Sequence, residues 1–206
     1  MGRYTGPKNK LARREGLDLG LKTAGSKAHA SLLKRLRIRP GQHGQKMKRK
    51  TSDFGRQLRE KQKVREMYGI LENQFRKYYD QASVTEGVTG EELLKHLERR
   101  LDNVVYRMGF APTRTAARQL VAHGHVIVND GTVTIPSYQV AISDIIRLRD
   151  KTITVPLVAK MLVETTKRIP VWLEVKGNAG KVSTFPKRED IQEDIEEQLI
   201  VEFYSR

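Results

Sequence analysis

The sequence predicts an α+β fold in which a helical segment is followed by two short helices and a small antiparallel sheet. Apolar residues recur at helical intervals between residues 52 and 79 and again between residues 89 and 122. From Val126 onward apolar and polar residues alternate, and the turn 129–131 (Asn-Asp-Gly) supplies the positive φ angles that a tight hairpin needs. Cationic residues concentrate before both regions, which adds a basic N-terminal arm to the predicted architecture.

Local signals set the expected ends of the first helices. Ser52 is a candidate N-cap with Asp53 in the first turn, and Gly69 is expected to divide the helical segment in two. Thr89 and Glu92 form a capping-box pattern at the start of the next helix. One amphipathic helix that continues to Gly109 is predicted by the spacing of Leu93, Leu97, Leu101, Val104 and Met108.

Further elements are expected along the second half of the chain. A helix opens at residues 112–113 (Pro-Thr) and closes at Gly124, and strand-forming residues recur between 140 and 148. A short helix is predicted from Pro156, and a second hairpin surrounds residues 177–180. Residues 1–42 contain only a short apolar cluster, at Leu32, Leu33 and Leu36.

Charge is the strongest signal in the composition. The 206 residues contain 39 Lys and Arg against 24 Asp and Glu, a net charge of +15. The first 50 residues hold 15 basic and 2 acidic residues, a net charge of +13. A basic arm joined to a nearly neutral body is typical of proteins that bind polyanions through counterion release. Residues 1–30 lack the wide apolar face of an arm that binds a membrane surface, so nucleic acid is the expected partner.

The same composition bounds the cellular location. No run of 18 apolar residues could span a bilayer, and the N-terminal residues lack the apolar region of a secretory signal. The chain has no cysteine, which excludes disulfides. We therefore expect a soluble, cytoplasmic protein.

No pattern for catalysis or for a cofactor is complete. The pair His123 and His125 has no third metal ligand nearby. The segment 177–181 has two residues between its glycines where a Walker loop has four, and Val182 follows its lysine. Asp102 lies among arginines and is expected to form an ion pair. The sequence predicts no enzyme, no cofactor and no metal.

The best candidate site is a basic face between residues 97 and 133. A guanidinium is a planar fork of donors that matches phosphate oxygens and stacks on bases. A solubilising surface paired with nearby carboxylates is the competing interpretation, and it is weaker for the second helix, which has no acidic neighbour within ten residues of its arginines. Structured RNA is favoured over DNA because no recognition helix and no dimerising heptad is apparent. The expected surface consists of Arg99, Arg100, Arg107, Arg114, Arg118, His123 and His125.

Six motifs follow one another along essentially the whole chain. They are Met1–Pro7 with Leu11–Gly16, Pro40–Gly44, Gln57–Lys63, Leu101–Arg107, Ala117–Val121 and Glu197–Arg206. In this order they closely resemble the family of the bacterial small-subunit ribosomal protein number four.

The resemblance implies a division into three parts. These are a basic arm at 1–42, a helical domain at 43–89 and 186–206, and an inserted RNA-binding module at 90–185 that includes a following helix and hairpin. The module of this family has two helices packed on a short antiparallel sheet.

The resemblance also implies the function and the partners. Members of the family are structural components of the small ribosomal subunit that bind its ribosomal RNA directly and nucleate assembly of the 5′ domain. They contact ribosomal protein number five and other small-subunit proteins, lie near messenger RNA where it enters the subunit, and contribute to translational accuracy. We therefore expect a ribosome-bound protein with no membrane partner and no homo-oligomer.

The resemblance and the charge pattern extend the candidate RNA contacts beyond the module. In the arm and the first long helix these are Arg3, Lys8, Lys10, Arg13, Arg14, Arg59, Lys61 and Lys63. The positions that the resemblance places near messenger RNA are Lys46, Lys48, Arg49 and Lys50.

One departure from the family lies in the arm. Many relatives have a four-cysteine zinc site there, and the matching positions in this chain are Asn9, Ala12, Ser26 and Ser31, so that site cannot form. The arm is therefore expected to gain its order from RNA and neighbouring proteins. Two alternative functions stay open: a free-standing RNA-binding translational regulator, and an RNA-modifying enzyme with the same module.

Overall fold

The computed structural model describes residues 2, 4–46, 50–163 and 169–205. These residues form two compact units, Met1–Gly90 with Glu193–Arg206 and Glu91–Gln192. The three-part division into arm, helical domain and module stays a prediction. The helices are α1 (Lys8–Glu15), α2 (Lys27–Lys34), α3 (Asp53–Tyr68), α4 (Glu72–Val84), α5 (Thr89–Glu98), α6 (Leu101–Arg107), α7 (Arg114–Ala122), α8 (Asp150–Ile153), α9 (Pro156–Val163) and α10 (Glu197–Tyr204). The strands are β1 (Val126–Val128), β2 (Gly131–Thr132), β3 (Ile145–Leu148), β4 (Leu173–Lys176) and β5 (Ala179–Val182).

The arm contains two helices that the sequence pattern did not predict. Helix α1 ends at Gly16, which has a φ of 75° and whose backbone N–H donates a hydrogen bond to the carbonyl of Ala12, so that it forms a left-handed C-cap. The Ser26 hydroxyl caps α2 by accepting from the amide of His29. Each helix has eight residues, too short to be stable alone in water, so both depend on packing. Their buried residues are Leu11, Ala12 and Leu32.

The predicted start of the long helical segment and its division at Gly69 are confirmed. The Ser52 hydroxyl accepts from the Gly55 amide at 3.2 Å and starts α3. Gly69 ends it with a φ of 66°, a left-handed conformation that glycine adopts without strain. Helix α10 packs against α3, and its Tyr204 ring stacks on Tyr79 with ring centroids 4.6 Å apart. Tyr68, Phe75 and Tyr78 of this segment are buried in the core, whereas Phe54 is exposed.

The prediction of a single helix from residue 89 to Gly109 is wrong, because the helix is interrupted at residues 99–100. Arg100 has an extended backbone, with ψ of 135°, and forms an isolated antiparallel bridge with Gln139. The amide of Leu101 donates to the carbonyl of Tyr138, and the amide of Val140 donates to the carbonyl of Arg99. The helical spacing of apolar residues is continuous across this interruption because α5 and α6 both bury their leucines.

The second unit has the predicted helix and hairpin. The Thr113 hydroxyl caps α7 by accepting from the amide of Ala116 at 3.2 Å. The turn between β1 and β2 has φ values of 45° at Asn129 and 68° at Asp130, as the sequence predicts. The hairpin of β4 and β5 joins the same sheet through β3, in the order β2-β1-β3-β5-β4 with antiparallel pairing throughout. The chain's one tryptophan, Trp172, is 2% exposed in the core of this unit. The α+β fold class is confirmed.

Candidate nucleic-acid interface

One arginine of the predicted basic face, Arg100, forms a buried ion pair with Asp102. Arg100 donates to both carboxylate oxygens of Asp102, from Nε at 3.0 Å and from Nη2 at 2.7 Å. Only 2% and 5% of the two side chains are exposed. A bidentate pair of this kind fixes the geometry of the break between α5 and α6. Arg100 therefore holds the fold and does not face solvent.

A second polar network links α5, α6 and α7. The Glu98 carboxylate accepts from Arg107 at 2.6 and 2.9 Å and from the side-chain amide Nδ2 of Asn103 at 2.8 Å. Asn103 in turn accepts from Arg114 Nε at 2.8 Å. The Arg114 guanidinium lies 4.7 Å from the centroid of the Tyr106 ring, within reach of a cation–π contact. Helix α7 is thus locked to α6 by polar groups that are mostly buried.

The expectation of one continuous arginine surface is therefore corrected. Arg100 and Arg114 are buried, and Arg107 shows only 12% of its side chain. Arg118 lies 3.5 Å from Asp102, so the second helix also has a carboxylate partner, 16 residues away in sequence. The ion-pair role predicted for Asp102 is confirmed.

Arg99 is only partly exposed, at the outer side of the same break. Its Nε donates to the carbonyl of Val140 at 3.0 Å, and its guanidinium lies 4.3 Å from the centroid of the Phe185 ring. Burial lowers the pKa of this guanidinium from its ordinary value, and Glu92 and Asp144 oppose that shift. The side chain is accordingly committed to packing.

The two histidines differ in their surroundings. His123 is exposed at the end of α7, whereas His125 is half-buried with its Nδ1 3.0 Å from the Thr152 hydroxyl. Their ring centroids are 6.2 Å apart. Among the residues that the structure describes, no group of three acidic or imidazole side chains could hold a metal ion. The phosphate contact of the exposed His123 stays a prediction.

The first unit buries two of the predicted RNA contacts. Lys61 donates to Glu72 at 2.6 Å and lies 4.7 Å from the centroid of the Phe203 ring. Lys63 donates to the carbonyl of Asp194 at 2.8 Å. Both lysines are under 10% exposed and fasten the C-terminal segment to α3, so their expected position on the surface is corrected.

Arg59 and Arg13 also have intramolecular partners. Arg59 Nη1 donates to the Glu15 carboxylate at 2.9 Å, with 37% of the Arg59 side chain exposed. Arg13 donates to two backbone carbonyls, those of Ile38 and Arg39. Neither contact removes the cation from solvent entirely.

Several predicted contacts lie where RNA could reach them. The exposed ones are Lys10, Arg14, Lys46 and Lys50, and Lys8 is half-buried. Three predicted contacts, Arg3, Lys48 and Arg49, lie outside the described residues.

Other exposed cations were missed by the sequence reasoning. Arg37 and Arg39 are exposed beside the turn at 40–44. Arg147 and Arg149 are exposed on and just after β3, where alternate residues are buried. The alternation in residues 145–149 (Ile-Ile-Arg-Leu-Arg) is a signal that could have found the second pair.

The zinc-matched positions of the arm hold other contacts. The Asn9 side-chain amide donates to the carbonyl of Ala28 at 3.0 Å and joins α1 to α2. Ser26 is the N-cap of α2, Ala12 is buried and Ser31 is exposed. Within the described ranges, no helix is both long enough and apolar enough to cross a bilayer.

Comparison with known proteins supports the resemblance found in the sequence. Residues 3–98 match the family model described as ribosomal protein S4/S9 N-terminal domain, and residues 99–146 match the S4 domain. Proteins named small ribosomal subunit protein uS4 from Geotalea uraniireducens and Geotalea daltonii are each 54% identical over 209 aligned positions. The uS4 protein of Geobacter sulfurreducens is 50% identical. Each alignment covers 100% of both chains. The predicted resemblance is confirmed, and the chain belongs to the uS4 family of small ribosomal subunit proteins.

Proposed function

We propose that this chain binds small-subunit ribosomal RNA directly and nucleates assembly of the 5′ domain of that RNA. As a member of the uS4 family it is a structural protein of the small ribosomal subunit and not an enzyme. The observation that carries the proposal is the charge distribution, since residues 1–50 hold a net charge of +13. So high a density of cations favours a polyanion that releases counterions on binding.

Arg118 is the arginine of the predicted face that best fits a phosphate contact in the second unit. The short hydrogen bonds of Asp102 go to Arg100, whereas Arg118 meets the same carboxylate only at 3.5 Å. Rotation of its side chain, 15% of which is exposed, would exchange the contact with Asp102 for a bidentate bond to phosphate. Asp102 would stay paired with Arg100 after the exchange.

The cations around the first hairpin extend this surface. His123 is exposed, and Arg149 is exposed with its guanidinium 2.6 Å from the Thr132 hydroxyl. The amide of Arg149 also donates to the carbonyl of His125, which ties the end of β3 to the residue before β1. These side chains therefore lie beside the ends of β1 and β3, next to the sheet, which favours contact with folded RNA of fixed shape.

Protein partners are proposed for the first unit. A groove of about 780 Å³ runs beside α10, with apolar Val88 and Leu199 and acidic Glu196, Glu197 and Glu202 among its lining residues. Apolar walls with an acidic rim suit a partner that presents apolar and basic side chains. Ribosomal protein number five and other small-subunit proteins are the proposed occupants.

Messenger RNA is the proposed partner of the basic run after the turn at 40–44. Lys46 and Lys50 are exposed, and Lys48 and Arg49 complete the run. We place these residues near the point where messenger RNA enters the subunit of cytoplasmic ribosomes, where they would contribute to translational accuracy.

The test measures affinity for small-subunit ribosomal RNA as a function of salt. Neutralising six to ten phosphates predicts a loss of roughly 10³ to 10⁵ in affinity between 50 and 200 mM salt. Arg118→Ala should weaken binding about tenfold and reduce the slope by about 1, as expected for one phosphate contact. Lys181→Ala, an exposed cation on β5, is the control and should change little.

Equal losses for the two variants would contradict the proposed surface. Co-sedimentation with small subunits through a high-salt gradient separates a ribosomal component from a free-standing regulator. A chain that remains at the top of the gradient would contradict the structural role.

A further inference from the structure

A cavity of about 430 Å³ in the first unit lies between the end of α1 and the segments 36–39 and 44–46. Its lining includes Arg14, Arg37, Arg39 and Lys46. We propose that this cavity is a preformed phosphate-binding site, an inference that rests on the proposed RNA binding for the source of its ligand.

Arg13 builds one wall of the cavity. Its Nε donates to the carbonyl of Ile38 at 2.9 Å and its Nη2 donates to the carbonyl of Arg39 at 3.0 Å. The planar fork of one guanidinium thus holds two successive peptide units against α1. Arg13 is therefore a positioning residue, and its side chain fixes where the neighbouring cations stand.

The turn that follows is held by a close backbone approach. A Cβ atom at Gly44 would lie 1.9 Å from the carbonyl oxygen of Arg39, so glycine is required there. The Gly44 amide donates to the carbonyl of Gly41, which has a φ of 105°. Segment 36–46 is consequently a folded turn that presents its cations before any ligand arrives.

Four of the cations that line the cavity have exposed side chains. Arg14, Arg37, Arg39 and Lys46 make no hydrogen bond or salt bridge through their side chains to any described residue. The one carboxylate of the lining, Glu15, accepts from Arg59 at 2.9 Å and is 5% exposed. Burial raises the pKa of Glu15, although Arg59 and Arg14 oppose that shift. An anion that binds among these cations would reduce the repulsion between their charges.

The cavity suits phosphate rather than a carboxylate. Three arginines offer several forks that can each bind two oxygens, and a phosphate group presents enough oxygens to meet more than one of them. The volume of about 430 Å³ lies within the range of ordinary ligand sites. That chemistry has two sources, the backbone of an RNA strand or a free oligophosphate.

The experiment titrates inorganic pyrophosphate, and separately small-subunit ribosomal RNA, into the full-length protein. The test variant is the double substitution Arg37→Gln with Arg39→Gln. The control is Lys27→Gln with Lys34→Gln, which removes the same charge from exposed positions of the arm outside the cavity lining. Arg13→Lys keeps the positive charge at this position but removes the planar pair of donors that binds the carbonyls of Ile38 and Arg39.

We expect the test variant to weaken pyrophosphate binding at least tenfold and the control to weaken it less than twofold. RNA affinity at 150 mM salt should fall several times further in the test variant than in the control. Arg13→Lys should also lose pyrophosphate affinity while its circular dichroism stays unchanged, since charge alone does not position the site. If the two double variants lose affinity equally, the charges act without a site and the proposal is overturned.

The two proposals fail in different ways. Wild-type protein that binds RNA tightly, with no difference between the double variants for either ligand, would retain the RNA function and remove the phosphate site. Protein that binds pyrophosphate through Arg37 and Arg39 but ignores the RNA would retain the site as one for free oligophosphate and remove the RNA function.

Discussion

Replacing Asp102 by Asn should make the second unit unfold far more easily, because it removes the carboxylate that pairs with the buried guanidinium of Arg100. The pair has two hydrogen bonds, at 2.7 and 3.0 Å, and both side chains are at most 5% exposed. Removing one partner of such a buried pair costs about 3–5 kcal/mol. For a unit of this length, each kcal/mol lowers the melting temperature by about 4–8 °C, so a loss of at least ~12 °C is expected.

Trp172 makes the measurement specific to this unit. It is the one tryptophan of the chain and is 2% exposed in the core of the second unit. Its fluorescence during urea unfolding therefore reports the free energy of unfolding of residues 91–192. Asp130→Asn is the matched control, because Asp130 is 96% exposed and lies 3.6 Å from Arg147. An exposed pair contributes about 0–1 kcal/mol.

A double variant completes the design. Arg100→Met with Asp102→Leu removes both charges and should recover most of the stability, since apolar replacements of buried pairs are often neutral. The reasoning would be refuted by a loss below about 1 kcal/mol for Asp102→Asn, similar to that for Asp130→Asn. It would also be refuted if the double variant were no more stable than the single one.

Two further predictions concern the first unit, and hydrogen exchange of the α3 amides measures both. Burial raises the pKa of Glu66, and its Oε2 is buried without a hydrogen-bond partner among the described residues. A raised carboxyl pKa stabilises the fold below the ordinary value of 4.5, and this contribution is lost as the pH rises through the folded pKa. Glu66→Gln should therefore stabilise the protein at pH 7, on the order of 1 kcal/mol, and have little effect below pH 4; an equal effect at both pH values would contradict it. Tyr204 donates to the Glu72 carboxylate at 2.6 Å, so Tyr204→Phe should cost about 1.5–3 kcal/mol, and unchanged exchange would contradict that.

Local sequence determined the caps at Ser52 and Thr113, the division at Gly69, the first hairpin and the charge distribution. The caps at Ser52 and Thr113 act on amides three residues away, and glycine at position 69 permits a positive φ that depends on its own backbone. The excess of cations in residues 1–50 is a matter of composition alone. Because these interactions join residues that are close in sequence, the local residue pattern is sufficient to predict them.

The tertiary structure alone decided which cations are available to a ligand. Lys61 is buried by Glu72 and by Phe203, which is far along the chain, and Arg114 is held by Asn103, 11 residues away. The break at Arg100 follows from a bridge to Gln139, which no local spacing reports. A charged residue has the same identity on the surface and in a buried pair, and only the partner brought to it by the fold distinguishes the two. The sequence by itself therefore determined that the chain is a polycation with an α+β body, and the fold determined which of its charges face outward.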